Sequence, residues 1–154
     1  MIDVRSVVYG VPDPELPHVS IGDLGMVRRV VVDGTQVSVT IAPTFLGCPA
    51  TEQIQSDVEA AVRGAGYTPS VEWELAPMWT SDDITEEGRT KLRMAGIAPP
   101  PAGGAVSVDL PVVCPLCGSR RTRLTAGFGA TPCKALHHCD HCRQPFEAVK
   151  GLPR

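Results

Sequence analysis

The sequence lacks a long apolar run that could cross a membrane. Its longest uncharged stretch, residues 34–51, is interrupted by two prolines and a glycine, whereas a spanning helix needs about 20 consecutive apolar residues. The chain also opens without a basic segment followed by an apolar one, so no secretory signal is indicated. We therefore expect a cytoplasmic protein that does not bind membranes.

The sequence also lacks the motifs of several enzyme classes. It has no Gly-rich phosphate loop, no nucleophile elbow, and no helix pair with carboxylates and histidines suited to a di-iron site. Aromatic residues are only 5% of the chain, but the 43% hydrophobic content is enough for a folded core. Residues 1–113 carry 7 Lys/Arg against 15 Asp/Glu, whereas residues 114–154 carry 7 against 2. These opposite balances indicate two units with different surfaces.

A stretch rich in proline and glycine divides the chain. Residues 98–105 consist of three prolines followed by two glycines, with alanines around them, a composition typical of a linker. We predict a first domain over residues 1–97, a linker over 98–110 and a second domain over 111–154.

The first domain shows alternating helix and strand patterns. The predicted elements are a helix over residues 4–9, strands over 27–33 and 36–41, a helix over 50–66, a strand over 70–75, and a helix from Thr85 to Gly96. Gly34-Thr35 joins the first two strands as a hairpin, and the helix after them has apolar residues on one face. The order α-β-β-α-β-α predicts a small α/β sandwich with a three-stranded sheet.

Two C-x2-C turns dominate the second domain. Cys114 and Cys117 form one turn, and Cys139 and Cys142 form the other. Four thiolates at this spacing can complete a tetrahedral shell around one cation, as in a zinc β-ribbon. Because protein ligands then hold all four positions, we predict a structural Zn²⁺ rather than a catalytic one.

Two other interpretations of this metal site stay open. Iron of the rubredoxin type uses the same four thiolates, because ligand softness and geometry do not separate it from zinc. His137, His138 and His141 lie beside the second turn and could replace a cysteine. Four well-spaced thiols make that replacement unnecessary, so we interpret these residues as surface histidines.

Two cysteines are not needed for this shell. Cys48 precedes Pro49, and proline favours the first helical position, so we predict Cys48 at a helix N-cap where its thiolate is stabilised. The alternative is a small residue that fills a tight junction. Cys133 is either buried or a second exposed thiol. Asp13 and Glu15 are carboxylates held between prolines, and their ordinary role would be turn capping.

Several segments resemble known proteins. Those that resemble the small domain of SufT-like iron–sulfur assembly factors are Asp13-Pro-Glu-Leu-Pro17, Ile21-Gly-Asp-Leu-Gly25, Ala42-Pro-Thr-Phe-Leu-Gly-Cys-Pro-Ala50 and Ile97-Ala-Pro-Pro100. Further segments resemble one more specific family. They are Trp79, Thr85-Glu-Glu-Gly-Arg89, Phe128-Gly-Ala-Thr-Pro-Cys-Lys-Ala135 and Pro145-Phe146. With them, nearly the whole chain is similar to the PaaD (PaaJ) family of accessory subunits of phenylacetyl-CoA epoxidase.

The resemblance implies an accessory role in phenylacetate degradation, not catalysis. Such a subunit would help to insert iron or an iron–sulfur cluster into an oxygenase or reductase partner, and we prefer the reductase as the client. Cys48 is then the expected working thiol and iron ligand, with Cys133 as a second thiol. Asp13 and Glu15 would be supporting carboxylates, and the iron or cluster would be held only transiently.

Three other functions compete with maturation. The first is a structural subunit of the oxygenase complex whose only metal is zinc. The second is nucleic-acid binding, but a zinc ion with four thiolates contributes about −2, and no basic–aromatic interleaving is present, which argues against it. The third is a thiol enzyme using Cys48, for which no nearby base can be identified. Finally, the open edge of a small sheet favours a homodimer.

Overall fold

The computed structural model describes residues 2–44, 49–101 and 111–150. The chain folds as two compact units, Met1–Trp79 and Thr80–Arg154. Among the described residues, no helix is both long enough and apolar enough to span a membrane.

The first unit is a three-stranded sheet with helices. Its elements are α1 (Val4–Tyr9), β1 (Val27–Asp33), β2 (Gln36–Ile41), α2 (Thr51–Gly64) and β3 (Thr68–Trp73). The sheet order is β1-β2-β3. β1 and β2 pair antiparallel around a two-residue turn in which Gly34 has φ +57°. β3 lies parallel to β2, because α2 intervenes and returns the chain in the same direction. The predicted α/β fold and three-stranded sheet are confirmed.

Alternation of side chains along β2 places the core on one face of this sheet. Val37, Val39 and Ile41 are fully buried, whereas Ser38 is exposed. The apolar stripe of α2 is buried as well, and α2 contacts both α1 and β3. At the end of the unit, the indole Nε1–H of Trp79 donates to the carbonyl oxygen of Leu24 at 2.6 Å. This bond holds the segment after β3 against the loop before β1.

The start of α2 differs from the prediction. Its N-cap is Ala50, which has φ −74° and ψ −13° and offers no side-chain oxygen to the first turn. The backbone ladder begins with the N–H of Ile54 donating to the carbonyl of Ala50 at 2.9 Å. The prediction that Cys48 is the N-cap was therefore wrong by two residues, because Pro49 belongs to the turn before the helix. Cys48 itself lies outside the described residues.

The second unit is built around a four-stranded sheet. Its elements are a 3-10 turn (Ser81–Asp83), α3 (Glu86–Met94), β4 (Ile97–Ala98), β5 (Thr122–Ala126), β6 (Lys134–Cys139) and β7 (Pro145–Val149). The strand order is β4-β7-β6-β5. As predicted, the Thr85 hydroxyl caps α3 by accepting the N–H of Gly88 at 3.0 Å, and Gly96 ends it with φ +77°.

Arg89 ties α3 to the Pro-rich stretch. This side chain is buried, and its guanidinium donates to the carbonyl oxygens of Ser81 and Pro100. Ala98, the first residue of this stretch, belongs to β4 and pairs in parallel with Ala148 of β7. The structural division consequently falls before α3. The first residues of the stretch predicted as a linker, 98–101, belong to the second unit, and residues 102–110 lie outside the described residues.

Candidate metal centre

Four cysteine sulfurs converge at one end of the four-stranded sheet. The Sγ atoms of Cys114, Cys117, Cys139 and Cys142 all lie within 4.8 Å of one another. Cys114 Sγ is 3.8 Å from Cys142 Sγ, and Cys117 Sγ is 3.6 Å from Cys139 Sγ. A tetrahedral ion with metal–sulfur bonds of about 2.3 Å requires sulfur–sulfur distances of about 3.8 Å. The donor set therefore fits a tetrahedral thiolate-bound cation, and these distances are far too long for disulfides.

The two C-x2-C turns are built alike. In the first, the N–H of Gly118 donates to the carbonyl of Cys114 at 2.9 Å. The residue after each second cysteine has a positive φ: Gly118 at +74° and Arg143 at +60°. Glycine adopts this conformation without steric cost, whereas for arginine it is sterically unfavourable. The second turn therefore carries backbone strain at Arg143 that the first turn avoids.

Backbone N–H groups act directly on the thiols. The N–H of Cys142, assisted by that of His141, lowers the pKa of the Cys139 thiol to about 7. At Cys142, the N–H of Gln144 lowers the pKa, but desolvation and the neighbouring thiols outweigh it and raise the pKa to about 12. The pKa of Cys117 is also raised, because desolvation and neighbouring thiols exceed the effect of the Ser119 N–H. Without metal, the raised pKa values keep Cys117 and Cys142 protonated at neutral pH, so a cation must displace these protons.

A small apolar core supports the cluster. The buried residues that pack together are Ala98, Cys114, Cys139, Phe146 and Ala148. Two of these five are cluster cysteines, so the core and the metal site share their central side chains. Loss of the metal would therefore remove the ion that cross-links the centre of this core.

The three neighbouring histidines lie outside the four-sulfur cluster. His137 is half-buried and stacks on Phe146 with ring centroids 5.6 Å apart, and burial lowers the pKa of His137. His138 Nδ1 lies 3.3 Å from the carboxylate of Asp140. His141 is exposed. In the described part of the chain, these four cysteines form the only cluster of three or more His, Cys, Asp or Glu side chains that could hold a metal ion.

Cys133 lies at the opposite end of β6 from Cys139. Six residues separate the two, which corresponds to about 20 Å at a strand rise of ~3.4 Å per residue. Its Sγ is half-buried and lies 3.1 Å from the Thr131 hydroxyl. The structure therefore does not bring Cys133 to the four-sulfur cluster.

The carboxylates singled out from the sequence lie in a loop of the first unit. Asp13 is buried, and its Oδ1 accepts the N–H groups of Glu15 and Leu16, each at 2.9 Å. These bonds are the turn capping that the sequence suggests for Asp13. Glu15 is half-buried. Because Cys48 lies outside the described residues, its placement relative to these carboxylates stays a prediction.

Two residues that shape the second unit were not predicted from the sequence. Arg89 appears in the family-like segment 85–89, which was the available signal, but no local rule predicts that its guanidinium turns inward. Lys134 is buried, and its Nζ lies 3.2 Å from Glu147 Oε2. The same carboxylate oxygen accepts the N–H of Ala130 at 3.2 Å. This contact depends on the pairing of β6 with β7, which a single sequence does not reveal.

Comparisons with known proteins agree with both halves of the chain. The family model for the iron–sulfur cluster assembly protein matches residues 2–72, and that for the PaaD zinc beta ribbon domain matches residues 98–150. The crystal structure of domain of unknown function DUF59 from Bacillus anthracis is 28% identical, with a TM-score of 0.54. The match covers 58% of this chain and 87% of that one.

A relative covers almost the entire sequence. An Escherichia coli K12 protein, provisionally named as a subunit of 1,2-phenylacetyl-CoA epoxidase, is 43% identical over 153 residues. The alignment spans 97% of this chain and 92% of the relative. An assembly-type fold followed by a four-cysteine ribbon accounts for this likeness over both halves. The chain belongs to the PaaD family.

Proposed function

We propose that this chain is a non-catalytic accessory subunit of the phenylacetyl-CoA 1,2-epoxidase system that assists insertion of iron or an iron–sulfur cluster into a partner subunit. The observation that carries the proposal is the likeness to the E. coli epoxidase subunit over 97% of the chain, together with the iron–sulfur assembly match over residues 2–72. We take the reductase as the client, within the cytoplasm.

In this proposal, the four-cysteine cluster holds a structural zinc. The sulfur–sulfur distances of 3.6 and 3.8 Å suit a closed tetrahedral shell. Such a shell leaves no open position for substrate, so the ion contributes folding energy to the second unit. Iron delivery then falls to other groups.

Cys48 is the thiol that we assign to iron handling. It lies in the segment that carries the assembly-domain resemblance, and it is not needed for the four-sulfur shell. Cys133 is the second candidate thiol, because it too is not needed for the four-sulfur shell. It lies about 20 Å from Cys139 along the strand direction, so it can be replaced without changing the metal ligands. Asp13 and Glu15 are the carboxylates proposed to support a transient iron site.

The test is co-expression of the oxygenase and reductase genes with wild-type chain, with Cys48→Ser, or without the chain. Each partner is then purified and assayed for iron and turnover. We expect iron-poor reductase without the chain and with Cys48→Ser, while Cys48→Ser itself keeps its fold and zinc. Cys133→Ser, tested in the same way, shows whether the second candidate thiol shares the role, since it lowers partner iron only if Cys133 takes part.

The structural-subunit alternative predicts a different pattern. Partner iron content would then be normal without the chain, and activity would require a stable stoichiometric complex that tolerates Cys48→Ser. That result would remove the maturation role and leave zinc as the only metal of the chain.

A further inference from the structure

The two edges of the three-stranded sheet are not equivalent. β3 carries Pro69 as its second residue, and proline supplies no N–H to a further strand. β1 has no proline, and its only irregularity is a bulge between Val27 and Arg29. From Arg29 to Asp33 its pairing with β2 is regular. The β3 edge therefore lacks a donor that a further strand would need, whereas within residues 2–44 and 49–101 no strand pairs with the outer edge of β1.

The open edge of β1 is also apolar and uncovered. Val31 is 46% exposed and Val32 is 40% exposed, although both lie within a regular strand. Exposed β-branched residues on an unpaired edge favour pairing with another strand. Exposure alone does not identify the partner.

Charges on β1 select a second copy of the same strand. Arg29, Val31 and Asp33 alternate along β1 and so share one face of the sheet, opposite the face on which Val30 pairs with Val39. If two β1 strands pair antiparallel with Val31 opposite Val31, each Arg29 faces an Asp33 of the other copy. Within the described residues, neither charged side chain has an ion-pair partner.

The backbone geometry allows the same register. Asp33 and Gln36 flank the two-residue turn, so they exchange hydrogen bonds with each other. In an antiparallel ladder, alternate residues point to opposite sides, so Val30 and Val32 direct their N–H and C=O groups to the open edge. With Val31 at the centre, each Val30 lies opposite a Val32 of the other copy and can exchange both bonds with it.

We propose that the chain forms a homodimer by antiparallel pairing of β1 with β1 of a second copy, in the register that places Val31 opposite Val31. The two sheets then join as one six-stranded sheet. A register centred on Val30 places Arg29 opposite Val31 and Asp33 opposite Val27. One centred on Val32 places Arg29 opposite Thr35 and Asp33 opposite Val31, so neither pairs the two charges. The paired segment has only five residues, so the area that it buries is smaller than that of a standard interface, about 1,600 Å². The dimer is therefore weak, with a dissociation constant on the order of micromolar.

The first test is a charge-reversal cycle on the full, metal-loaded chain. Sedimentation equilibrium is measured from about 1 µM to about 500 µM, a range that brackets the expected constant. Arg29→Asp and Asp33→Arg should each weaken the dimer about tenfold or more, because like charges then face each other. The double variant restores opposite charges in the same register and should recover dimerisation. Asp57→Arg on α2 is the matched control and should leave dimerisation unchanged.

The second test reads the register directly. Opposed residues in a non-hydrogen-bonded antiparallel pair have Cα atoms about 4.5 Å apart, which suits a disulfide. Val31→Cys should give a 31–31 linked dimer under mild oxidation, identified by peptide mass mapping. Val32→Cys should not link to itself, because the two copies of residue 32 are offset along the strands.

Three outcomes would overturn the proposal. They are a wild-type chain that stays monomeric up to about 500 µM, charge reversals that leave the dimer unchanged, and a dimer that links through residue 32 but not 31. Far-UV circular dichroism of each variant separates lost pairing from lost folding. Because no partner subunit is present, failure here leaves the proposed maturation role untouched.

Discussion

Replacing Cys139 by serine tests the metal centre at its most buried position. Cys139 is completely inaccessible, and its Sγ lies 3.6 Å from that of Cys117. Serine keeps the size of the side chain but removes the thiolate, so the shell retains three sulfur ligands. The matched control is Cys133→Ser, which makes the same chemical change in the turn just before β6, at the far end of that strand from Cys139.

The expected loss follows from the energy of a complete site. Structural zinc sites with a full shell bind with apparent free energies of about 10–16 kcal/mol. If the four ligands share this energy evenly, loss of one costs about 2.5–4 kcal/mol. That loss weakens the metal affinity by about 60- to 700-fold. The control has no part in the shell, so its affinity should stay within about threefold of wild type.

Two measurements check this prediction. Competition with a chromophoric chelator gives the metal affinity, and hydrogen exchange reports on the amides of β6 and β7. We expect faster exchange in both strands of Cys139→Ser, because Cys139 belongs to the apolar core of this sheet. Equal affinities for wild type and Cys139→Ser, or metal loss in Cys133→Ser, would refute the assignment of the ligands.

Four further predictions follow from single contacts. Arg89→Met should destabilise the second unit by about 2–4 kcal/mol, because it removes two buried charge-assisted bonds; hydrogen exchange at α3 measures this. Trp79→Phe should destabilise the first unit by about 1–3 kcal/mol, because a buried carbonyl loses its donor, as a urea titration would show. Arg143→Gly should stabilise the metal-loaded second unit by about 1 kcal/mol or less, by relieving the positive φ; an unchanged or lower midpoint of thermal metal release would contradict this. Metal loading at pH 7 should release at least two protons, since the raised pKa values of Cys117 and Cys142 keep both protonated, and affinity should rise with pH. Calorimetry in buffers of different ionisation enthalpy counts these protons.

Local patterns in the sequence predicted most of the first unit. Alternation at Val37, Val39 and Ile41 indicated a half-buried strand, and the structure has β2 over Gln36–Ile41. The third strand was placed about two residues too late, since β3 runs from Thr68 to Trp73. Strand ends depend on pairing with a neighbour, and the parallel register with β2 involves residues more than thirty positions apart.

The four cysteines of the metal centre could be predicted because their motif is local in the sequence. The spacing within each C-x2-C turn is local, and it suffices to identify the four cysteines. The inward turn of Arg89 and the pairing of β4 with β7 are long-range contacts that leave no local signal. The cap of α2 was misjudged because a Cys-Pro pair suggests a helix start, although the chain first makes a turn at Pro49 and Ala50.

The anchoring of Arg89 has a consequence for how such proteins can be cut and recombined. The match to the assembly family ends at residue 72, and the match to the zinc-ribbon family begins at residue 98. The segment between them nevertheless contributes α3 and Arg89 to the second unit. A ribbon excised at residue 98 would lose the donor that holds the carbonyl of Pro100. A gene fusion that transplants the ribbon onto another protein should therefore carry the chain from Thr80 onward. The transferable module is longer than the ribbon that gives it its name.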